Sequence, residues 1–199
     1  MAIRKLRIGI DLDSTLIKMT VIGKAAKATG YPYNDLDVMD WYHTNFPEDM
    51  RTEIFRMFKD PKVMCENQEP IKGSQAKIKS WADQGHTPIL ITARGADLED
   101  GTIKLVNELY PEIKNINFVN FNESKIDTMI AQKIDMWVDD AAHGVIDAMS
   151  LHLPTVMVTN SYTKYNWQVR THPKLIQQVR RIEHIGDNVL YDVATGKWS

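Results

Sequence analysis

Five short apolar runs, separated by stretches with helical spacing, constrain the fold of this chain most strongly. Leu6–Ile10, Pro88–Ile91, Ile116–Phe121, Met136–Val138 and Thr155–Val158 read as buried strands. Ile78, Trp81 and Ala82 mark one helical face, stopped by Gly85; Ile103, Val106, Leu109 and Tyr110 mark another, stopped by Pro111. Strand alternating with helix predicts an α/β fold, a Rossmann-like parallel sheet flanked by helices with right-handed crossovers. One interval breaks the rhythm. Between Ile17 and Pro70 no strand pattern occurs, but two amphipathic segments do: Val21, Ile22, Ala25 and Ala26, then Met50, Ile54, Met57 and Phe58. The expected organisation is an α/β core of residues 1–16 and 71–199, with residues 17–70 inserted after the first strand as a small helical cap.

Composition narrows the classes of function. Among 199 residues, 43% are hydrophobic and 25% charged, the balance of a soluble globular protein. A net charge of −2 argues against a protein whose main work is coating nucleic acid. The single cysteine, Cys65, can form no intrachain disulfide and reads as a packed thiol. Met1–Arg7 runs straight into the first strand without the apolar region of a secretory signal. No segment reaches the roughly 18 continuous apolar residues of a membrane span. The cytoplasm is therefore the expected compartment, with no membrane partner.

Chemistry-bearing residues collect at the ends of the strands. The first ends in Asp11-Leu12-Asp13-Ser14-Thr15. Side chains alternate along extended backbone, so Asp11 and Asp13 can share one side where the strand opens into a loop. Two carboxylates held that close repel unless a cation or proton lies between them. The second strand ends in Thr92-Ala93-Arg94, Lys125 opens a helix after the third, and the fourth ends in Asp139-Asp140. Carboxylates, hydroxyl, lysine and carboxylates thus arrive in order at the carboxyl edge of one sheet, where open α/β folds place their ligands. Each has an ordinary structural reading too. Arg94 could pair with Asp97 or Glu99, Asp140 could cap the helix through Val145 and Met149, and His143 reads as structural or solvated.

In the order and position of these residues the chain resembles the haloacid-dehalogenase (HAD) superfamily of phosphohydrolases along essentially its whole length. Asp11 and Asp13 match the first motif, Thr92 the second, Lys125 the third, and Asp139 with Asp140 the fourth. Dehalogenases of the superfamily lack the second carboxylate and phosphatases keep it, so Asp13 implies phosphoryl chemistry. The resemblance makes Asp11 the nucleophile that forms an aspartyl-phosphate. It makes Asp13 the acid that protonates the leaving oxygen and then the base that activates water. Lys125 and Mg²⁺ would offset the phosphate charge, and the Thr92 hydroxyl would position a phosphate oxygen. The implied Mg²⁺ ligands are the Asp11 carboxylate, the Asp13 carbonyl and one acid of the pair Asp139/Asp140. The first acid after the strand, Asp139, is the expected ligand, with Asp140 orienting water.

Within the superfamily the resemblance is to the 5′(3′)-deoxyribonucleotidase / 5′-nucleotidase branch. It is carried by Leu6–Thr15, by Pro70-Ile71-Lys72-Gly73 and by Asn160-Ser161-Tyr162. Deoxyribonucleotidases carry Thr-Ser-Pro where this chain has Thr92-Ala93-Arg94. The cap interval holds Tyr31, Tyr33, Trp41, Tyr42, Phe46, Phe55 and Phe58, and aromatics can stack a nucleobase at about 1–3 kcal/mol per base. Trp41 and Tyr42 are the expected stacking pair, with Thr92, Ala93 and Arg94 at the phosphate. The expected substrate is a small phosphomonoester, a nucleoside monophosphate, hydrolysed with Mg²⁺. Three alternatives stand beside it: a sugar-phosphate phosphatase, a polynucleotide 3′-end phosphatase and a non-catalytic phosphate-binding protein. The polynucleotide reading draws on Ala148–Ile182, which lacks acidic residues and holds Lys164, Arg170, Lys174, Arg180 and Arg181; a solvated helix face accounts for the same charges.

Overall fold

The computed structural model describes residues 4–33, 45–121, 123–159, 179–182, 185, 191–192 and 197–198. Six parallel strands span Arg7–Ile10 (β1), Thr87–Thr92 (β2), Asn115–Phe118 (β3), Met136–Asp139 (β4), Thr155–Val158 (β5) and Val179–Ile182 (β6). They form one sheet in the order β3-β2-β1-β4-β5-β6. All five strands expected from the apolar runs are present. The third is shorter, ending at Phe118, and Phe121 is 39% exposed. The edge strand β6 carries Arg180 and Arg181, so these two arginines lie on a strand and not on a helix face. Tyr191–Asp192 (β7) and Lys197–Trp198 (β8) pair antiparallel as a separate ribbon.

Alternation along the strands divides the interior into two layers. Ile8, Ile10 and Leu90 pack with Ile78, Trp81, Val106 and Tyr110 on one face of the sheet. Ile89, Ile91 and Trp137 pack with Met129, Ile134 and Ala148 on the other. The first layer is closed by Ser74–Asp83 (α4) and Glu99–Leu109 (α5), the second by Ile126–Ala131 (α6) and Ala142–Ser150 (α7). Gly9 must lack a side chain, because a Cβ there would sit 2.6 Å from the Trp137 ring.

Between β1 and α4 lie three further helices, Val21–Thr29 (α1), Glu48–Met57 (α2) and Pro61–Cys65 (α3). They bury a cluster of their own, including Val21, Ile22, Phe46, Met50, Ile54 and Met64, to which Leu98 is added from the turn after β2. The two chain crossings into this helical group run side by side. Lys18 N–H donates to the Glu69 carbonyl at 2.9 Å and Ile71 N–H to the Leu16 carbonyl at 2.8 Å. The Tyr110 hydroxyl also donates to that Leu16 carbonyl. No described helix is long and apolar enough to cross a membrane.

At the opposite edge of the sheet, buried His86 accepts the Leu6 N–H through Nδ1 at 3.1 Å, while its Nε2 meets no partner among the described residues. Burial, aided by the nearby Lys5 charge, lowers the pKa of His86 below its ordinary 6.5. As pH falls below that value the unfolded chain takes up a proton that the folded chain resists, so stability is lost. Urea midpoints compared between about pH 7.5 and 5.5 should therefore drop further in the wild type than in His86→Asn, whose amide oxygen can still accept the Leu6 N–H. Equal drops would remove His86 from the acid response.

Candidate active site

Because β2, β1 and β4 are neighbours and parallel, whatever follows each strand collects at one edge. Asp11 directly follows β1, and its N–H donates to the Val138 carbonyl at 2.9 Å, which keeps it level with Asp139 at the end of β4. Thr92 closes β2, and Lys125 sits at the N-cap of α6. These residues do converge. Lys125 Nζ lies 2.6 Å from Asp11 Oδ1 and 3.2 Å from Asp139 Oδ2, with only 2% of the lysine exposed.

Asp139 is locked from every side. Trp137 precedes it by two residues and so shares its strand face. The indole N–H donates to Asp139 Oδ2 at 3.1 Å, while Lys125 Nζ stands over the same ring, 5.1 Å from its centre. The Ala141 N–H donates to the other oxygen, Oδ1, at 2.8 Å. Gly144 of α7 leaves space for the carboxylate, since a Cβ would lie 1.9 Å from Oδ2. Asp140 has a different setting. It lines the adjacent cavity and accepts the Thr15 hydroxyl at 3.2 Å. It is not the N-cap of α7, a position that Ala141 takes, and the Ala141 N–H donates to Asp139. Behind the lysine, Asp147 Oδ2 accepts both the Lys125 N–H (2.9 Å) and the Ser124 hydroxyl (2.8 Å), tying this loop to α7.

Asp13 is held by Arg94. The guanidinium Nε and Nη2 donate to its two oxygens at 2.9 and 2.8 Å, a fork-on-fork pair. Arg94 is 4% exposed, and its Nη1 donates to the Thr102 hydroxyl at 3.2 Å and reaches Cys65 Sγ at 3.6 Å. The alternative pairing of Arg94 with Asp97 or Glu99 gives way to a buried pair with an aspartate 81 positions away. Ser14, next to Asp13, adopts a left-handed φ of 61° as the chain turns back, a conformation costing about 1–2 kcal/mol outside glycine.

Four carboxylates (Asp11, Asp13, Asp139, Asp140) face two cations (Lys125, Arg94) in this small, largely buried space, an excess of negative charge. Burial is the main reason the Asp11 carboxyl is pushed up to about 7; Lys125 pulls it down and Asp139 adds to the rise. For Lys125 burial works the other way, but the charges of Asp11 and Asp139 outweigh it and hold the ammonium protonated well above its usual range. Oxygens of Asp11, Asp139 and Asp140 approach within 4.8 Å of one another, an arrangement that could hold a metal ion.

A cavity of about 520 Å³ opens on this cluster. Asp11, Asp13, Thr92, Arg94, Lys125 and Asp140 form its floor, and Met19, Phe55, Phe58, Met64, Leu98 and Phe121 supply apolar walls. Phe55 and Phe58 stand 6.4 Å apart with tilted rings.

No model of a known protein family matches the chain, and no curated protein matches it in sequence. Solved structures do match. A protein from Lactobacillus delbrueckii assigned as a phosphoglycolate phosphatase superposes with a TM-score of 0.65 at 10% identity, covering 92% of this chain and 95% of that one. A HAD hydrolase of family IA from Entamoeba histolytica gives 0.60 at 12% identity over 90% and 93%. A haloacid dehalogenase-like hydrolase from Streptococcus pneumoniae gives 0.55 at 12% over 78% and 85%. The fold is the HAD fold.

Within this HAD fold, the residues expected at the phosphate end meet at the cavity floor: Asp11, Asp13, Thr92, Ala93, Arg94, Lys125 and Asp140. Asp139 lies behind them, joined to the site through Lys125. The expected stacking pair Trp41 and Tyr42 falls outside the described residues, as do Asn160-Ser161-Tyr162, Lys164, Arg170 and Lys174. Three contributors escaped the sequence reading. Trp137 was hidden inside an apolar strand run, although its i, i+2 spacing to Asp139 is a usable signal. Asp147 and Thr102 sit on helix faces where an acid or a threonine attracts no notice.

Proposed function

We propose that this chain is a divalent-cation-dependent phosphomonoesterase that works through an aspartyl-phosphate on Asp11, with nucleoside monophosphates as its substrates. The observation that carries this reading is the buried Lys125 ammonium between Asp11 and Asp139, at the floor of a cavity also lined by Asp13 and Asp140.

The donor set suits Mg²⁺, a hard ion that takes carboxylate and carbonyl oxygens. Asp11 and Asp140 line the cavity and wholly buried Asp139 does not, so we assign the carboxylate ligands that face the substrate to Asp11 and Asp140, with the Asp13 carbonyl beside them and Asp139, the third acid of the cluster, behind them. When bound, the ion would supply charge neutralisation at the phosphoryl oxygens. Asp11 then attacks phosphorus through a carboxylate oxygen. The bond from phosphorus to the leaving oxygen breaks, and that oxygen takes its electron pair together with a proton from Asp13. In the second step Asp13 accepts a proton from water, whose oxygen attacks phosphorus, releasing phosphate and restoring the Asp11 carboxylate. Lys125 keeps Asp11 and Asp139 oriented and offsets charge as it builds on the phosphoryl group.

The lining of the cavity supports this choice of substrate. Phe55, Phe58, Phe121, Met19 and Met64 offer an apolar, aromatic-rich lining suited to an aromatic base rather than to a polyol, whose hydroxyls would go unpaired. A two-carbon acid such as glycolate would leave most of about 520 Å³ unfilled. A polymer end is disfavoured because residues of α2 and α3 stand over the same cavity as Asp11.

Ribo- and deoxyribonucleoside 5′- and 3′-monophosphates assayed beside phosphoglycolate, sugar phosphates and a 3′-phosphorylated oligonucleotide test the assignment. Nucleoside monophosphates should give the highest kcat/KM, EDTA should abolish turnover and Mg²⁺ should restore it. A clear win for sugar phosphates or phosphoglycolate would overturn the substrate, and turnover that persists in EDTA would overturn the cation requirement.

A further inference from the structure

The guanidinium of Arg94 occupies a junction of four elements. Its Nε and Nη2 grip Asp13 on the loop after β1, and its Nη1 reaches Thr102 on α5 and Cys65 at the end of α3. An arginine at the end of a strand beside a phosphate site invites the role of phosphate clamp. Four of its five N–H donors, however, already have protein acceptors, which leaves one Nη2 N–H. Because the group is 4% exposed, this is no solvent-screened surface pair.

An aspartate side chain has two torsions, so one hydrogen bond leaves its carboxylate free to swing. A fork that takes both oxygens fixes its plane. A carboxylate offers about four lone-pair sites, so each Asp13 oxygen can serve Arg94 with one and keep another for a reacting oxygen. Thr102, wholly buried, anchors the far side of the guanidinium and makes the fork rigid. Proton transfer to a leaving oxygen needs the donor within hydrogen-bond reach and correctly aimed. The fixed plane of Asp13 meets that requirement in advance.

We propose that Arg94 is a positioning residue that acts through Asp13, aiming the carboxyl that exchanges a proton with the leaving oxygen, and is not the phosphate clamp. This rests on the phosphomonoesterase reading above. It separates from a clamp by leaving-group dependence. A clamp serves every ester alike, whereas aid to proton transfer matters most when the leaving oxygen is basic. The value of kcat/KM reports the first irreversible step, in which the leaving group departs.

The test compares kcat/KM for dinitrophenyl, phenyl and ethyl phosphates in the wild type, Arg94→Lys, Asp13→Asn and the double variant, all with Mg²⁺. Arg94→Lys keeps the charge but not the fork. Its loss on phenyl and ethyl phosphates should exceed its loss on dinitrophenyl phosphate by about tenfold or more, within the range general acid catalysis contributes. Added to Asp13→Asn, it should cost little more. Thr102→Val, which removes the anchor but keeps the shape, should show the same ordering at smaller size, and it serves as the test should Arg94→Lys fail to fold. A loss of equal size on all three esters, or full additivity with Asp13→Asn, would overturn the proposal while leaving the phosphomonoesterase reading in place. A wild type inactive on every ester and on the nucleotides would overturn both.

Discussion

Asp11→Asn is expected to lower turnover by a factor on the order of 10⁴ or more, the scale seen when a nucleophile is removed. The substitution keeps nearly the same volume and an oxygen that can accept the Lys125 ammonium, now 2.6 Å from Asp11 Oδ1. What is lost is the anionic oxygen that would attack phosphorus. The fold should survive, and a stability comparison checks this independently of activity. Burial pushes the Asp11 carboxyl up to about 7 from an ordinary 3.8. Between those values the unfolded chain releases a proton that the folded chain keeps, so stability falls as pH rises through the window. In EDTA, the melting temperature of the wild type should therefore fall more steeply over that range than that of Asp11→Asn. Residual turnover within a hundredfold of wild type would remove Asp11 as the nucleophile.

Lys125→Met should be nearly as damaging to activity, by a factor of about 10³, and far more damaging to the fold. The ammonium is bonded to two aspartates in a site sealed from solvent. Taking one partner from a buried ion pair leaves uncompensated charge, typically at a cost of about 3–5 kcal/mol. Methionine fills a similar volume, so the loss reports charge rather than a cavity. The double variant Asp11→Asn/Lys125→Met removes one of the stranded anions and should recover part of that stability, a non-additivity readable from urea unfolding. Additive losses would mean that Lys125 does not couple to Asp11 in the folded protein.

How much of this was legible in the sequence depends on how local each cause is. The strands β1, β2 and β4 were legible because each is a compact apolar run, and Asp11, Thr92 and Asp139 were legible because they end those runs. The insertion of helices after β1 showed as a change of period. The edge strand β6 did not show, because Val179-Arg180-Arg181-Ile182 has apolar residues only at its ends. The partner of Arg94 was out of reach. Local acids at positions 97 and 99 were the nearest in sequence, but the chain packs the guanidinium against Asp13, where burial strengthens the pair. The division of labour between Asp139 and Asp140 follows from strand parity. Asp139 shares a face with Trp137 and is drawn into the bonded interior, and the next residue is left to line the cavity.

The central claim is that phosphorus passes through a covalent bond to Asp11. Acid quenching during turnover followed by borohydride treatment reads this directly, because an acyl phosphate on that side chain is reduced to the alcohol and the aspartate becomes homoserine. Peptide mass spectrometry should then find homoserine at position 11, only when substrate and Mg²⁺ are both present. Steady turnover with an unmodified Asp11, or with homoserine at another aspartate, would contradict the account.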